Sequence, residues 1–273
     1  MTDIIIIGGG PAGISAALTV KNRGKSVKII SNPIESSYLY KAKLVENYPG
    51  LPAVSGENIL KIFRKQAEAA GIEIITARAL NAITSGNGYY VSCGQEYHEC
   101  RAMILAVGIT QQTAYPGEAE LLGRGVSYCA TCDGMLYRGK NIAVIGLSDE
   151  AEKEAEFLRS IGCKVEYFGK NRAKKFEILG DERVSGIVAD GAEYAVEGVF
   201  ILRNTIAPAS FITGLSVENG HIAADHEMKT PLNGVFAAGD CIGKPYQIAR
   251  ATGQGNTAAL SACEYLETLD KRQ

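Results

Sequence analysis

The residues best suited to chemistry form the segment Cys129-Ala130-Thr131-Cys132-Asp133-Gly134. Two thiols that are separated by two residues can close a small disulfide ring, and neighbouring groups or a helix N-terminus can stabilise one of them as a thiolate. The carboxyl group of Asp133 can hold a proton or donate one to a thiolate. The pattern therefore predicts a redox-active dithiol at Cys129 and Cys132, with Asp133 beside it.

Zinc binding and a purely structural role are the alternatives for this cysteine pair. A zinc site needs a second pair of ligands at similar spacing. The three histidines, His98, His221 and His226, are scattered, and no second Cys-x-x-Cys exists. We therefore predict no metal site. The other five of the seven cysteines are widely spaced, which is typical of small buried side chains and indicates a reducing compartment.

A second pattern, Gly8-x-Gly10-x-x-Gly13, follows the apolar run Ile4–Ile7 and opens a predicted helix over 11–22. The first glycine allows a tight turn, the second lets the backbone approach a pyrophosphate, and the third permits close packing of helix on strand. The helix N-terminus favours the anion. The pattern predicts a dinucleotide site, with an incidental glycine turn as the alternative.

The residues at the end of the second predicted strand do not include the acid that usually binds the ribose. Ser31-Asn32-Pro33 occupies that place, and Glu35 is the nearest carboxylate. A later strand, in contrast, ends in the small residues Ala238-Gly239-Asp240. The Asp240 carboxylate could accept a hydrogen bond from a ribityl hydroxyl or could cap a helix, and the Gly8 turn in the same chain favours the first interpretation.

A second nucleotide loop is expected at Gly146-Leu147-Ser148-Asp149-Glu150-Ala151, but only its first glycine is present. The side chains of Leu147 and Ser148 stand where a backbone should approach phosphate. The carboxylates of Glu150 and Glu152 suit an empty helix N-terminus and repel a pyrophosphate. Downstream, Gly169–Lys175 carries cations that could hold a 2′-phosphate or form a solvated basic face.

The elements that must position these residues repeat the order strand, turn, helix, strand. The first set comprises strand Ile4–Ile7, helix 11–22 and strand Val27–Ile30. It is followed by a helix over 57–70, which ends at Gly71, and by a strand over 72–75. An antiparallel ribbon at 89–91 and 96–101 and a strand over 103–107 complete it. The second set comprises Ile142–Gly146, helix 149–159, Val165–Phe168 and Gly198–Leu202. This order predicts an α/β fold with two Rossmann-like domains.

The two domains are not consecutive in the sequence. We predict that residues 1–110 and 208–273 form one discontinuous domain, and that 111–207 form a smaller central domain. The crossings lie near Ile109–Pro116 and Asn204–Ser210, where apolar strands give way to polar residues and proline. Hinges at these crossings would allow a domain rotation.

Composition excludes several functional classes. The chain has 273 residues with 28 basic and 30 acidic side chains, and this balance gives no reason to expect nucleic-acid binding. No apolar run approaches the length of a membrane helix, and we expect no signal peptide, because Ile4–Ile7 is short, has no basic segment before it and ends at Gly8-Gly9-Gly10. We expect a cytoplasmic protein without membrane or nucleic-acid partners.

Several segments together resemble the low-molecular-weight thioredoxin reductases over essentially the whole chain. They are Gly8–Gly13, Glu46-Asn47-Tyr48-Pro49-Gly50, Gly125–Gly134, Gly234–Asp240 and Gln247-Ile248-Ala249. The resemblance implies a homodimer with an FAD domain and a smaller disulfide-bearing domain. It implies an FAD site made of Gly8, Gly10, Pro11, Ala12, Gly13, Asn47, Ala106, Gly108, Gly239, Asp240, Gln247 and Ile248. It also implies that Cys132 faces the flavin, Cys129 exchanges with thioredoxin, and Asp133 donates the proton.

The departures from that family point to a different electron donor. Ordinary members carry Gly-x-Gly-x-x-Ala and a His-Arg-Arg-x-x-x-Arg-like segment for NADPH, and this chain has neither. The central segment Gln111–Ile206 is also short, at 96 residues. The combination resembles the ferredoxin-dependent flavin thioredoxin reductases. It implies an enzyme that passes electrons from reduced ferredoxin through FAD and the Cys129–Cys132 pair to thioredoxin.

Three other functions are compatible with these motifs. One is an NADPH-dependent thioredoxin reductase with a degenerate loop, using Lys170 and Arg172 on the 2′-phosphate. Another is a dithiol oxidase that passes electrons through flavin to oxygen, and the third is a non-catalytic flavoprotein that docks a redox partner. For the ferredoxin surface the sequence offers two basic stretches, Lys21–Lys28 and Lys170–Lys175, without deciding between them. Tyr38 or Tyr40 either covers part of the FAD or packs within its own loop.

Overall fold

A computed structural model describes residues 1–86, 88–94, 96–109, 115–118, 120–148, 150–169, 172–203 and 211–271. Contacts divide the chain into an outer unit, Met1–Gln111 with Ala207–Gln273, and a central unit, Gln112–Ile206. Residues 110–114 and 204–210, which include most of the predicted crossing near Ile109–Pro116 and all of the one near Asn204–Ser210, lie outside the described residues. The domain boundaries therefore stay a prediction.

Sixteen strands are present in the described residues. In chain order they are β1 (Thr2–Ile7), β2 (Val27–Ser31), β3 (Glu73–Thr76), β4 (Asn81–Ser85), β5 (Gly88–Cys93), β6 (Glu96–Leu105), β7 (Val126–Ser127), β8 (Asn141–Gly146), β9 (Lys164–Phe168), β10 (Phe176–Gly180), β11 (Val184–Ala189), β12 (Ala192–Tyr194), β13 (Gly198–Leu202), β14 (Val217–Glu218), β15 (His221–Ile222) and β16 (Val235–Ala237). The helices are α1 (Pro11–Asn22), α2 (Gly56–Ala69), α3 (Ala130–Asp133), α4 (Ala151–Ser160) and α5 (Ile248–Asp270). Short 3-10 turns lie at Ile34–Ser36, Leu39–Lys41, Gly134–Tyr137 and Asp240–Ile242.

The outer unit is built on one mixed sheet in the order β3-β2-β1-β6-β5-β4. Strands β3, β2, β1 and β6 are parallel, whereas β4, β5 and the first half of β6 form an antiparallel ribbon. Strand β16 pairs parallel with the second half of β6. The carboxyl ends of β1, β6 and β16 therefore meet at one edge of the sheet, which is where ligands bind in open α/β sheets.

Strand β6 differs from its prediction. The sequence indicated a ribbon strand over 96–101 and a separate strand over 103–107, but Glu96–Leu105 is one continuous strand. Strand β6 pairs with two strands along the same edge: its first residues pair with β5, and Met103–Leu105 pair with β16. Helix α4 also begins later than expected, at Ala151, because Glu150 is its N-cap.

Both faces of β1 are buried, as its unbroken apolar sequence predicts. Ile4 and Ile6 pack with α1, α2 and α5, whereas Ile5 and Ile7 pack in a second cluster on the opposite face. Burial on both faces fixes the end of β1 rigidly, and that end carries the Gly8 turn.

The central unit contains a parallel sheet in the order β7-β13-β8-β9 and a separate antiparallel sheet, β10-β11-β12. One apolar cluster joins the two sheets through residues such as Phe168, Phe176 and Ile187. A second cluster packs α3 and α4 on the other face of the parallel sheet. The prediction of an α/β fold with two Rossmann-like units is confirmed. No helix among the described residues has the length and apolarity that a membrane crossing requires.

Candidate cofactor and disulfide sites

The Gly8 turn is tight enough to require glycine at two of its positions. Gly8 has a φ of +111°, and a Cβ atom there would lie 2.2 Å from the carbonyl oxygen of Ala106. A Cβ atom on Gly13 would lie 1.8 Å from the carbonyl oxygen of Gly8. These two glycines therefore let β1, α1 and β6 approach one another, as the sequence predicted for the first and third positions.

Gly10 serves a different purpose from its two neighbours in the pattern. No atom of the described residues outside its immediate chain neighbours lies within 4 Å of a Cβ built on Gly10. Gly10 is the N-cap of α1, no side chain caps this helix, and its first turn has no acidic residue. The first amide groups of α1 thus point into open space that suits a phosphate.

Ala12 lies at the contact between the Gly8 turn and two further segments. A Cβ on Gly239 would come within 2.9 Å of the Ala12 Cβ, and one on Gly255 within 2.1 Å of the Ala12 carbonyl oxygen. The Gly239 amide donates a hydrogen bond to Gln254 Oε1 at 3.1 Å. Gln254 and Gly255, both on α5, were missed at the sequence level because their role depends on a contact with α1.

Asp240 follows Gly239 and is half-buried. Burial raises the pKa of its carboxyl group, and the charge of Arg250 acts in the opposite direction. No hydrogen bond to this carboxylate is formed by any residue within the described ranges. Its oxygens are therefore available to hydroxyl groups of a ligand.

The predicted residues Asn47 and Gln247 come together, whereas Ser31 takes an unexpected part. Asn47 Nδ2 donates a hydrogen bond to Gln247 Oε1 at 2.9 Å, and both side chains are exposed. Ser31 Oγ accepts a hydrogen bond from the Gly9 amide at 3.0 Å. The serine at the end of β2 thus supports the glycine turn at the place where a ribose-binding acid was sought.

The remaining predicted cofactor residues lie on the same elements. Ala106 is buried and its amide donates to the Ile7 carbonyl oxygen at 2.8 Å, while Gly108 has a φ of +70°. Pro11 is the first residue of α1, and Ile248 is the first residue of α5. The chain thus brings them to the carboxyl-terminal edge of the sheet or to the helix N-termini beside it.

In the central unit, Cys129 and Cys132 form a disulfide with their Cα atoms 5.3 Å apart. Cys129 is the N-cap of α3, and its sulfur accepts a hydrogen bond from the Cys132 amide at 3.1 Å. The Cys129 side chain is buried, at 8% exposure, whereas Cys132 is exposed. The pair is therefore oxidised, and Cys132 is the more exposed residue of the two.

Asp133 is held beside the disulfide by a residue that the sequence did not reveal. Ser127 Oγ donates to Asp133 Oδ2 at 2.6 Å and accepts a hydrogen bond from the Cys129 amide at 3.1 Å. Ser127 is buried at the end of the two-residue strand β7. This hydroxyl therefore links the carboxyl group of Asp133 to the backbone of Cys129.

The loop after β8 is hydrogen-bonded to the end of β13. The amides of Leu147 and Ser148 both donate to the Leu202 carbonyl oxygen, each at 2.9 Å. A Cβ on Gly146 would lie 2.4 Å from the hydroxyl of Tyr167, so that ring covers the turn. Asp149 lies outside the described residues. Two backbone donors at the place where a pyrophosphate would bind are consequently in use within the protein.

One of the cations downstream of β9 is engaged as well. Arg172 forms an ion pair with Glu166, donates to the Tyr167 carbonyl oxygen at 2.7 Å, and lies 5.0 Å above the Phe168 ring. Lys170 and Asn171 lie outside the described residues. Within the described ranges, no group of three or more His, Cys, Asp or Glu side chains has an arrangement that would hold a metal.

A dinucleotide turn in one unit and a Cys-x-x-Cys disulfide in the other define the class of disulfide reductases that use a nucleotide cofactor. The chain belongs to the pyridine nucleotide-disulphide oxidoreductase family, whose model matches residues 2–173 and 170–255. Within this family it is a thioredoxin reductase-type flavoprotein disulfide reductase.

The relatives support that assignment along the whole chain. A thioredoxin reductase of Listeria innocua is 33% identical, with 98% of this chain and 94% of the relative aligned, and one of Bacillus subtilis is 31% identical, with 98% and 96% aligned. Among solved structures, a ferredoxin-flavin thioredoxin reductase from Clostridium acetobutylicum is 36% identical over 98% of each chain, with a TM-score of 0.89. A thioredoxin reductase from Gloeobacter violaceus has a TM-score of 0.77 at 30% identity, over 98% of this chain and 95% of the other.

The family implies FAD, and the outer unit fits this cofactor. The open space at Gly10 and the uncapped α1 suit its pyrophosphate, and the unpaired Asp240 carboxylate suits its ribityl hydroxyls. When bound, FAD supplies a group that accepts electrons singly or in pairs.

Proposed function

We propose that this protein reduces the disulfide of thioredoxin with electrons from reduced ferredoxin, by way of FAD and the Cys129–Cys132 pair. We further propose that it works as a homodimer in the cytoplasm. The Cys93, Cys100, Cys163, Cys241 and Cys263 thiols are free, which agrees with a reducing compartment.

The observation that carries the choice of donor is the closed loop after β8. A pyridine nucleotide needs backbone amides that point at its pyrophosphate. The amides of Leu147 and Ser148 instead share the Leu202 carbonyl oxygen. Opening the loop would break two hydrogen bonds, each worth roughly 0.5–1.5 kcal/mol. The ferredoxin-flavin thioredoxin reductase from Clostridium acetobutylicum, with its TM-score of 0.89, supports the same choice.

Electrostatics also oppose a nucleotide at this loop. Glu150 is the N-cap of α4, and Glu152 and Glu154 lie in its first turn. Carboxylates at that position stabilise the helix end and repel a second anion. Arg172, which the NADPH hypothesis requires for the 2′-phosphate, is already paired with Glu166.

Thioredoxin reduction follows from two thiol–disulfide exchanges once two electrons and two protons have converted the Cys129–Cys132 disulfide into two thiols. In the proposed roles, the Cys129 thiolate attacks one sulfur of the thioredoxin disulfide, forms a mixed disulfide and expels the other thioredoxin sulfur as a thiolate. The Cys132 thiolate then attacks the Cys129 sulfur, which restores the Cys129–Cys132 bond and releases the second thioredoxin thiolate. Protons return to both thioredoxin sulfurs, so the reaction balances.

The structure places constraints on these proposed roles. Cys129 is a buried residue in the disulfide form, whereas Cys132 is exposed, so Cys129 must become accessible when the bond opens. The disulfide constrains both ends of α3, and its reduction removes that constraint. Asp133, held by Ser127, is the group placed to supply a proton next to the departing thiolate.

A protein partner also needs a surface beside the disulfide. Met135 and Leu136 follow Asp133 and are 58% and 70% exposed. Large apolar side chains at such exposure suit a docking surface, and here they follow the disulfide closely in the chain. Of the basic stretch Lys21–Lys28, Lys25 is paired with Asp270 and Lys28 with Glu73, which makes this stretch a poorer candidate for an acidic ferredoxin.

A reconstituted assay tests the proposed function. Photochemically reduced ferredoxin, the protein loaded with FAD and oxidised thioredoxin are mixed without oxygen, and thioredoxin thiols are counted. We expect two thiols per thioredoxin with ferredoxin and none when NADPH replaces it. The Cys129→Ser variant provides the background. Thioredoxin thiols formed from NADPH alone would favour the NADPH-dependent alternative, and rapid oxygen consumption with a small dithiol would favour the oxidase.

A further inference from the structure

A buried ion pair in the central unit has no place in the chemistry described above. Arg203 and Glu118 form two contacts, one between Nη2 and Oε2 at 2.9 Å and one between Nη1 and Oε1. Their side chains are 7% and 3% exposed. A buried pair of this kind is costly to desolvate, and equally large apolar residues are often as stable. Its presence therefore calls for a reason other than stability.

The Glu118 carboxylate gathers two further donors. The Tyr115 amide donates to Oε2 and the Tyr128 hydroxyl donates to Oε1, both at 2.9 Å. The Arg203 guanidinium also lies 5.2 Å from the centre of the Tyr115 ring. Four donors on one buried carboxylate give a network whose members are held in one arrangement.

The members of this network come from three parts of the chain. Tyr115 and Glu118 lie in the segment 115–118, the first part of the central unit that the structure describes. Arg203 is the last described residue of the same unit. Tyr128 is the residue immediately before Cys129. The network thus ties the entry point, the exit point and the disulfide loop to one another within this unit.

On this side the disulfide loop follows a short strand and the turn at Leu121–Val126. Strand β7, which leads into Cys129, has only the two residues Val126 and Ser127 and lies at the edge of the sheet. It pairs with β13 at Val199 and Phe200 alone. A short edge strand opens readily unless other contacts retain it. The hydrogen bond from Tyr128 to Glu118 supplies such a contact.

We propose that the Glu118–Arg203 pair positions the Cys129–Cys132 loop by fixing it to the two points where the chain enters and leaves the central unit. Glu118, Arg203 and Tyr128 are positioning residues in this account, because none of them exchanges electrons or sulfur. The loop then moves with both points as one body whenever the unit moves. The proposal deepens the proposed function and rests on it for its activity readout only.

Two variants separate this role from simple stabilisation. Glu118→Gln with Arg203→Met removes both charges, while the new amide oxygen still accepts from the Tyr115 amide or the Tyr128 hydroxyl. Tyr128→Phe keeps the ion pair and removes the hydrogen bond that links it to the loop. The matched control is Glu156→Gln with Arg159→Met, which removes an exposed pair on α4 of the same unit. Each protein is compared in its oxidised form by amide hydrogen exchange and thermal unfolding.

We expect the peptide covering 122–129 to exchange at least about tenfold faster in Tyr128→Phe, because a hydrogen bond to a charged group is lost. The β8 and β13 peptides should be unchanged in that variant, and the control pair should change nothing. In Glu118→Gln/Arg203→Met, the peptides at 115–118, 122–129 and 200–203 should all exchange faster than in the control. A uniform increase across the unit, or no increase at 122–129, would overturn the proposal.

The activity readout distinguishes this proposal from the proposed function. Thioredoxin reduction by ferredoxin should slow in both variants, whereas the two thiols of the dithiothreitol-reduced protein should react with a small aromatic disulfide at the wild-type rate. If the wild-type protein failed to use ferredoxin, the proposed donor would fall but the hydrogen-exchange results would stand. If both variants turned over thioredoxin at the wild-type rate, the positioning role would fall alone.

Discussion

Asn47 and Gln247 are hydrogen-bonded to each other at 2.9 Å although 200 residues separate them in the sequence. The contact joins the loop before α2 to the N-cap of α5. Both residues belong to the FAD site that the resemblance implies, and both remain exposed. Their contact pre-organises a pair of amide groups for a ligand, which lowers the cost of ordering them on binding.

This relationship predicts a coupled effect on FAD binding. Asn47→Ala and Gln247→Ala should each weaken the affinity of the FAD-free protein for FAD by about fivefold, since each removes roughly 1 kcal/mol of polar contact. The double variant should lose less than the sum, because the two residues share a contact. Titration of flavin fluorescence measures the dissociation constants. The control is Asn58→Ala, which changes an exposed residue of α2. Strict additivity would show that the contact has no role in the site.

Replacing a glycine of the turn by alanine should cause a different defect at Gly13 than at Gly10. Gly13→Ala should destabilise the outer unit by roughly 1–3 kcal/mol, because its Cβ would overlap the Gly8 carbonyl oxygen. Gly10→Ala should leave stability unchanged, because Gly10 has a φ of −80° and open space around it, but should weaken FAD binding at least about tenfold. Denaturant unfolding without FAD and FAD titration separate the two effects. Equal loss of stability in both variants would contradict this assignment.

The proposed sulfur roles predict which variant traps thioredoxin. In Cys132→Ser, Cys129 can attack thioredoxin but no second thiol resolves the product, so a stable mixed disulfide should accumulate. In Cys129→Ser the FAD should still be reduced by the donor, and thioredoxin reduction should be abolished. Non-reducing electrophoresis after mixing each variant with oxidised thioredoxin identifies the adduct. An adduct with Cys129→Ser instead would show that the roles are reversed, with the exposed Cys132 attacking thioredoxin.

The ionisation of Glu118 predicts a pH dependence of stability. Burial acts to raise the pKa of this carboxyl group, but hydrogen bonds from Arg203, the Tyr115 amide and Tyr128 outweigh it and hold the pKa below its ordinary 4.5. A lowered pKa in the folded state gives stability that is complete above the unfolded value and is lost as the pH falls through the folded value. The wild type should therefore lose up to about 1.4 kcal/mol per pH unit relative to Glu118→Gln/Arg203→Met in acid below pH 4.5, measured by urea unfolding. A constant difference across this range would contradict the shift.

Local sequence patterns predicted much of the fold and the geometry of the Gly8 turn. The Gly8 turn, the buried strand β1 and α1 follow from residues that are adjacent in the chain, and Gly71, which follows the C-cap of α2, has a φ of +70°, as its sequence position indicates. The disulfide at Cys129 was predicted for the same reason, because two residues of spacing nearly determine its ring.

Contacts between distant segments were not predictable from the same patterns. The sequence showed that the loop after Gly146 lacks its glycines, but not that the Leu202 carbonyl oxygen satisfies its amides. Ser127 and Arg203 read as ordinary strand-end residues, since their partners become apparent only when β7 and β13 are paired. The antiparallel sheet β10-β11-β12 was also missed, because its short strands depend on packing more than on local sequence.

The central claim concerns how electrons enter the protein, and anaerobic stopped-flow spectroscopy tests it most directly. Protein loaded with FAD is mixed with NADPH in one series and with reduced ferredoxin in the other, and the yellow absorbance of the flavin is followed. We predict rapid bleaching with ferredoxin and no bleaching with NADPH at any concentration on the same timescale. Rapid, saturable bleaching by NADPH would contradict the account, because the loop after β8 would then have to open and bind the nucleotide.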